Sequence, residues 1–235
     1  MLVDNLERAD NLTDQAITRL RTAILGGELK PGELYSATQL GEWLGVSRTP
    51  IREAVQQLAK TGLVAVERNR GIRVRSTTLE DLIDGFQVRL MLEVPVARQA
   101  AAVRTDADVQ RVKEAFEAFR QIAETGDPAA TLRADRDFHL ALLTTTGNHR
   151  AVKILEDLRN VVLLTGVETV PRSRSSTEAF EDHRDIYQAF MDGEAEKAGE
   201  AMRRHIINTA RMLVLREAHE RGSSMVDVDS LLNWT

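Results

Sequence analysis

The sequence predicts a mainly α protein: three short helices and a small β-hairpin, followed by an antiparallel all-helical bundle of about six helices. Three observations carry this. Aromatic residues make up 4% of the 235 and glycines number 14, while Ala, Leu, Arg and Glu abound, a composition suited to helices. Apolar residues recur at helical spacing through most of the chain. The exception is a pair of β-prone runs, Leu63-Val64-Ala65-Val66 and Ile72-Arg73-Val74-Arg75, joined by Arg68-Asn69-Arg70-Gly71, whose Asn-x-Gly chemistry suits a hairpin turn.

The elements follow in order. Ala16, Ile17, Leu20, Ala23 and Ile24 mark a first helix, stopped by Gly26-Gly27. LKPGEL makes a tight turn. Ser36-Ala37-Thr38-Gln39 has the Ser-x-x-Gln form of a capping box, so a short second helix starts there, with Leu40 and Leu44 inward and Gly45 at its end. A third helix follows, capped by Ser47 or Thr49, with Pro50 in the first turn, where its missing N–H costs no intrahelical bond. Ile51, Ala54, Val55 and Leu58 form its buried face and Gly62 ends it. Three helices and a hairpin make a winged helix-turn-helix, expected over 13–76 after an N-terminal tail, 1–12. Ser76-Thr77-Thr78 reads as a polar linker. Helices are then expected at 79–102, 106–125, 128–146, 148–165, 173–192 and 194–220. Their breaks fall at Thr105, Gly126-Asp127-Pro128, Gly147-Asn148, Val170-Pro171 and Asp192-Gly193. The expected helical domain is 79–220, and 221–235 is a C-terminal tail with apolar Met225, Val226, Val228, Leu231, Leu232 and Trp234.

The chain has no cysteine, which removes disulfides and thiolate chemistry. No run of about 18 apolar residues could span a bilayer. The start, MLVDNLERAD, is acidic and polar rather than a signal peptide, so a cytoplasmic protein without membrane partners is expected. The net charge is −5, yet residues 43–78 hold seven Lys and Arg against two Asp and Glu. A basic segment in an acidic chain points to a local polyanion contact.

The stretch GVSRTPIREAVQQLAKTGLV shows where that contact falls. In a helix-turn-helix the second helix of the pair enters the major groove with its N-terminal residues facing base edges. Arg48 and Arg52 occupy that end, four apart on one face, and a guanidinium can grip guanine O6 and N7 through two parallel hydrogen bonds. Ser47 and Thr49, with the helix N-terminal amides, are placed to hold phosphates. Arg68, Arg70 and Gly71 put the hairpin tip along a groove or the backbone. The bland alternative in each case is a solvated, charged face.

ELKPGELYSATQLGEWLGVSRTPIREAVQQLAKTGLVAVERNRGIRVR resembles the DNA-binding domain of the GntR family of bacterial transcription regulators, whose pattern includes Leu-Gly-Val-Ser-Arg-Thr-Pro-Val-Arg-Glu-Ala. The resemblance covers residues 13–75. It implies that Arg48 and Arg52 read bases, that Ser47 and Thr49 hold phosphates, and that Gly71 is the wing glycine. One position departs: where many members have an arginine ten residues before the first recognition arginine, this chain has Thr38.

The helical half offers a second constellation. Asp135 and His139 lie four apart, on one face of an expected helix whose inward residues include Phe138, Leu142 and Leu143. His183 and His205 stand about ten to twelve residues on either side of Asp192-Gly193, so antiparallel helices place both imidazoles at about the same height. Three imidazoles and one carboxylate suit a divalent Zn, Ni, Mn or Fe with positions left open for a ligand. The alternative is that each is a hydrogen-bonded core histidine. His149 and His219 lack such placement.

Residues 79–220 resemble the all-helical ligand-sensing domain of the FadR-like branch of GntR regulators. The carriers are Arg89-x-x-x-Glu93, Asp135-x-x-Phe138-His139 followed by Leu142 and Gly147-Asn148, and the His183…Gly193…His205 hairpin. The resemblance implies that Asp135, His139, His183 and His205 bind a divalent metal, Zn first, which with nearby basic residues captures a small carboxylate. For that effector the candidates are Arg89, then Arg159 and Asn208; an ion pair with Glu93 is the other reading of Arg89. The expected function is a metabolite-responsive transcription regulator, a repressor, binding a palindromic double-stranded DNA operator as a homodimer. The alternatives are a metal-dependent hydrolase of a small acid and an architectural DNA binder.

Overall fold

The computed structural model describes residues 12–25, 27–60, 62–75, 78–164, 174–220 and 227–232. The chain divides into two units, Met1–Ser76 and Thr77–Thr235. Gly26, Ser76-Thr77, the break at Val170-Pro171, and Met225, Val226 and Trp234 of the tail lie outside the described residues. Among the described residues no helix is long and apolar enough to cross a membrane.

In the first unit, helix α1 (Leu12–Leu25) buries Ala16, Leu20 and Ile24. Its Thr13 hydroxyl donates to Glu53 Oε2 at 2.7 Å on helix α3 (Arg48–Lys60), which joins the two helices beyond their apolar contact. Between them, helix α2 (Ala37–Leu44) begins with the expected capping box: the Gln39 amide donates to Ser36 Oγ, and the Ser36 amide donates to the Gln39 side chain. Gly45 ends α2 in the left-handed conformation. Ile51, Ala54, Val55 and Leu58 of α3 are all buried, as the periodicity requires.

The wing is larger than the expected hairpin. Strands β2 (Val64–Glu67) and β3 (Gly71–Val74) pair antiparallel across a turn at Asn69, and a two-residue strand β1 (Leu34–Tyr35) adds to the other edge of β3. Gly71 makes the third strand possible. Its φ is +128°, and a Cβ there would lie 2.1 Å from the Tyr35 carbonyl oxygen. Gly71→Ala is therefore expected to cost about 1–3 kcal/mol from backbone strain and to unseat β1. Because Tyr35 packs edge-to-face on Trp43 at 5.7 Å, Trp43 emission during urea unfolding checks this, and an unchanged midpoint would refute it.

The second unit is all helix among its described residues. Helices α4 (Leu79–Val103) and α10 (Ala195–Glu220) are the long pair at its centre. Around them lie α5 (Asp106–Glu124), α6 (Pro128–Thr144) and α7 (His149–Leu164). Thr78 and Thr105 cap α4 and α5 through boxes closed by Asp81 and Asp108. The core is aromatic where α5, α6 and the later helices meet. Phe86, Phe119, Phe138 and Phe190 are fully buried, and Phe116 stacks on Tyr187 at 3.9 Å.

Two features depart from the six helices expected. The single helix anticipated over 173–192 is two, α8 (Ser176–Glu181) and α9 (Arg184–Asp192), and His183 causes the break. Its Nδ1 lies 2.8 Å from the Ala179 carbonyl, the group its own backbone amide would bond in a continuous helix; that amide turns instead to Phe180. Local side-chain competition of this kind interrupts a helix. Second, part of the C-terminal tail forms a short helix α11 (Val228–Leu232), whose Val228 and Leu232 are buried against the core. The Gln87 side chain holds it by donating to the Leu231 carbonyl.

Candidate functional site

In the first unit, Arg48 opens α3, Ser47 stands at its N-cap position, and Thr49 and Arg52 follow within the first turns. All four are exposed, while Ile51, Ala54, Val55 and Leu58 of the same helix are buried. Neither Arg48 nor Arg52 has an ion-pair partner among the described residues, so their guanidiniums are available to a partner molecule. Thr38 is half-buried in α2. At the wing, Arg68 is exposed. Arg70 is exposed but paired with Glu67 at 2.9 Å, and Glu67 also accepts from Arg73. Gly71 has a packing reason to be glycine in its contact with Tyr35.

In the second unit the structure brings together Asp135 and His139 from α6, His183 from the α8–α9 break and His205 from α10. One donor atom from each lies within 4.8 Å of the others. His139 and His183 are fully buried and His205 nearly so. His183 Nε2 is 3.0 Å from His139 Nε2 and 2.9 Å from Asp135 Oδ1; His139 Nε2 is 3.9 Å from the same oxygen. The Ala179 carbonyl can only accept, so His183 Nδ1 carries a proton and Nε2 is the nitrogen turned inward. That Nε2 faces another imidazole nitrogen and a carboxylate oxygen. Three imidazoles and a carboxylate converging in a buried place are groups that a cation between them would engage. The donor set therefore fits a divalent metal.

The electrostatics agree. Burial, then the positive charges of Arg159 and its neighbours, pushes the His139 imidazole well below its ordinary range. Burial does the same to His205, reinforced by His183, Arg89 and Arg159. Both rings are held neutral, the form in which imidazole is a ligand. Burial alone would raise Asp135, but the hydrogen bond and charge of His183 and the nearby arginines outweigh it and hold the carboxyl below its usual range.

Two further groups complete the surroundings. Glu93 on α4 is fully buried and accepts from Arg89 Nε and from an Arg159 terminal nitrogen, each at 2.7 Å. Burial would raise its pKa, yet Arg159 and Arg89 hold it down. Arg159, from α7, also reaches Asp135 Oδ2 at 3.4 Å, while its Nε is buried with no hydrogen-bond partner among the described residues. Two guanidiniums thus balance two carboxylates. Of the effector candidates, Arg89 and Arg159 are in this cluster. Asn208 is not: it is exposed and accepts from Arg211. The next residue, Thr209, is buried one turn beyond His205, its hydroxyl without a hydrogen-bond partner among the described residues. Sequence reasoning passed over Thr209, although i+4 spacing from His205 was the available signal. His149 and His219 are exposed, away from the cluster.

A winged helix-turn-helix joined to an all-helical domain with a buried polar centre defines a DNA-binding transcription regulator. Residues 12–74 match the bacterial regulatory proteins, gntR family, and residues 84–208 match the FCD domain. The HTH-type transcriptional regulator LutR of Bacillus subtilis is 31% identical over 211 residues, covering 81% of this chain and 95% of LutR. A protein of Paenarthrobacter nicotinovorans named "Probable D-xylose utilization operon transcriptional repressor" is 29% identical, covering 78% of this chain and 80% of its own. Among solved structures, E. coli McbR/YncC superposes with a TM-score of 0.76 at 22% identity, covering 88% of this chain and 98% of that one, which shows the shared fold. The chain belongs to the GntR family of bacterial transcription regulators, with an FCD domain as its helical half. It is a regulator and not the metal-dependent hydrolase that the ligand set alone left open.

Proposed function

We propose that the chain is a metabolite-responsive repressor in the cytoplasm, binding a palindromic operator as a homodimer and sensing a small carboxylate through a divalent metal. The observation that carries the sensing half is the convergence of Asp135, His139, His183 and His205 donors within 4.8 Å. These four hold the metal, zinc first, with Ni, Mn and Fe as the other cations their chemistry suits. When bound, such a cation supplies a Lewis-acidic positive charge on which an anion can settle. The arginines and carboxylates around it already cancel, so a divalent cation leaves the centre positive and its companion is an anion. Arg159, with its unbonded Nε, is the side chain best placed to help hold that carboxylate, and Arg89 orders Arg159 through their shared Glu93.

In the reading half, Arg48 and Arg52 contact base edges and Ser47, Thr49, Thr38, Arg68 and Arg70 the backbone, with Gly71 shaping the wing. The support is the exposure of Ser47, Arg48, Thr49 and Arg52 at the N-terminal end of a helix that the fold places second in a helix-turn-helix, and of Arg68 and Arg70 at the wing. A two-fold dimer matches a palindromic site, and a relative named as a repressor supports repression. The effector governs DNA binding by binding one of two dimer states better than the other.

Arg52→Ala is expected to cost about 1–3 kcal/mol in operator affinity and to relax preference at one base pair. Binding measured on an operator and its single-base variants at fixed salt checks this. Equal weakening on every sequence would make Arg52 a phosphate contact. Elemental analysis of the purified protein checks the metal, and a chain that takes up no divalent cation would refute the sensing half.

A further inference from the structure

An imidazole that gives one ring nitrogen to a cation carries its proton on the other, and in a dry interior that proton needs an acceptor. His183 meets this requirement through the Ala179 carbonyl at 2.8 Å. His139 does not. Its Nε2 faces the cluster, so its proton belongs on Nδ1, which is buried with no hydrogen-bond partner among the described residues. The group that faces Nδ1 is Glu93 Oε2, 3.9 Å away, about 1 Å beyond a normal N–H···O separation. Glu93 is itself fixed: Arg89 holds Oε1 from within α4, and Arg159 holds Oε2 from α7.

We infer that Glu93 is the positioning residue of the metal centre: its Oε2 receives the His139 Nδ1 proton and thereby sets the ring with Nε2 turned toward the cation. This rests on the metal reading of the four donors. The arginine clamp keeps the carboxylate in place before any cation arrives, so the adjustment required is a small tilt of the His139 ring toward it. The same contact ties the centre to two helices at once, because Oε2 is shared between His139 of α6 and Arg159 of α7 while Glu93 is part of α4. The competing account makes Glu93 only the counter-charge of Arg89 and Arg159, with no influence on zinc.

The experiment uses the full chain loaded with zinc and titrated against a competing chelator. Glu93→Gln and Glu93→Asp are expected to weaken zinc binding about 10–100-fold, the range for carboxylates behind a ligating histidine. Imidazole proton–nitrogen spectra give the readout that a structural role would not move. Both variants shift or lose the Nδ1 proton signal of His139 and leave that of His183, on its carbonyl, in place. Should Glu93→Gln fail to fold, Glu93→Asp decides, since it keeps the charge and shortens the reach. Wild-type zinc affinity in Glu93→Asp, or weakened affinity with an unmoved His139 signal, overturns the assignment. A wild-type chain that binds no zinc overturns the metal reading itself.

Discussion

Arg89→Ala is expected to lower the stability of the helical unit by about 3–5 kcal/mol, because it breaks a buried ion pair and leaves its partner short of a counter-charge. Arg89 is 3% exposed and donates to Glu93 Oε1, and Glu93 has no exposed surface. The guanidinium also lies 5.2 Å from the Phe86 ring centre, so packing is lost along with the charge. Arg159 still bonds Glu93 but cannot satisfy both oxygens alone. Urea unfolding of the metal-free variant reads the loss. The result also separates the two roles open to Arg89: a change under about 1 kcal/mol, with weakened effector binding, would make it an effector ligand rather than a structural cation.

His183→Ala is expected to abolish tight metal binding, weakening it by more than the roughly 100-fold that marks the upper end of outer-sphere changes. The ring is at the centre of the cluster, within 3.0 Å of both the His139 nitrogen and the Asp135 oxygen. Its removal also frees the Ala179 carbonyl, so the break between α8 and α9 loses the side-chain bond that maintains it. Metal-dependent thermal stabilisation should vanish in this variant, since a ligand stabilises only the state that binds it. Full metal occupancy by elemental analysis would refute the assignment.

Much of this was legible in the residues because local chemistry determined it. The Ser36–Gln39 box, the left-handed Gly45 and Gly193 ends and the Thr105 start are decided by side chains within a few positions of each other, and the structure has them where that chemistry puts them. Strand β1 was not legible. Two residues carry no alternation, and their pairing depends on a missing Cβ at Gly71, nearly forty positions later. The break at His183 was hidden for another reason: periodicity continues across it, and only a ring competing for a backbone carbonyl reveals it.

The polar centre divides in the same way. A count of residues from the Gly193 turn was enough to bring His183 and His205 together, with ring centres 4.3 Å apart. The importance of Glu93 was not visible, because Arg89 and Glu93 at i and i+4 read as an ordinary helical pair until Arg159 arrives from another helix. Asn208 and Thr209 show how sharply a helix decides. One residue is about 100° of rotation, which turns Asn208 to solvent and Thr209 inward.

Operator affinity of the full chain, measured at one salt concentration with the metal removed and then restored as zinc while a panel of small mono- and dicarboxylates is titrated in, joins the two halves of the proposal in a single number. The expected result is that at least one acid changes affinity for the operator in the zinc-loaded protein and leaves the metal-free protein unaffected. An acid response of the same size with and without zinc, or none in either, would contradict it.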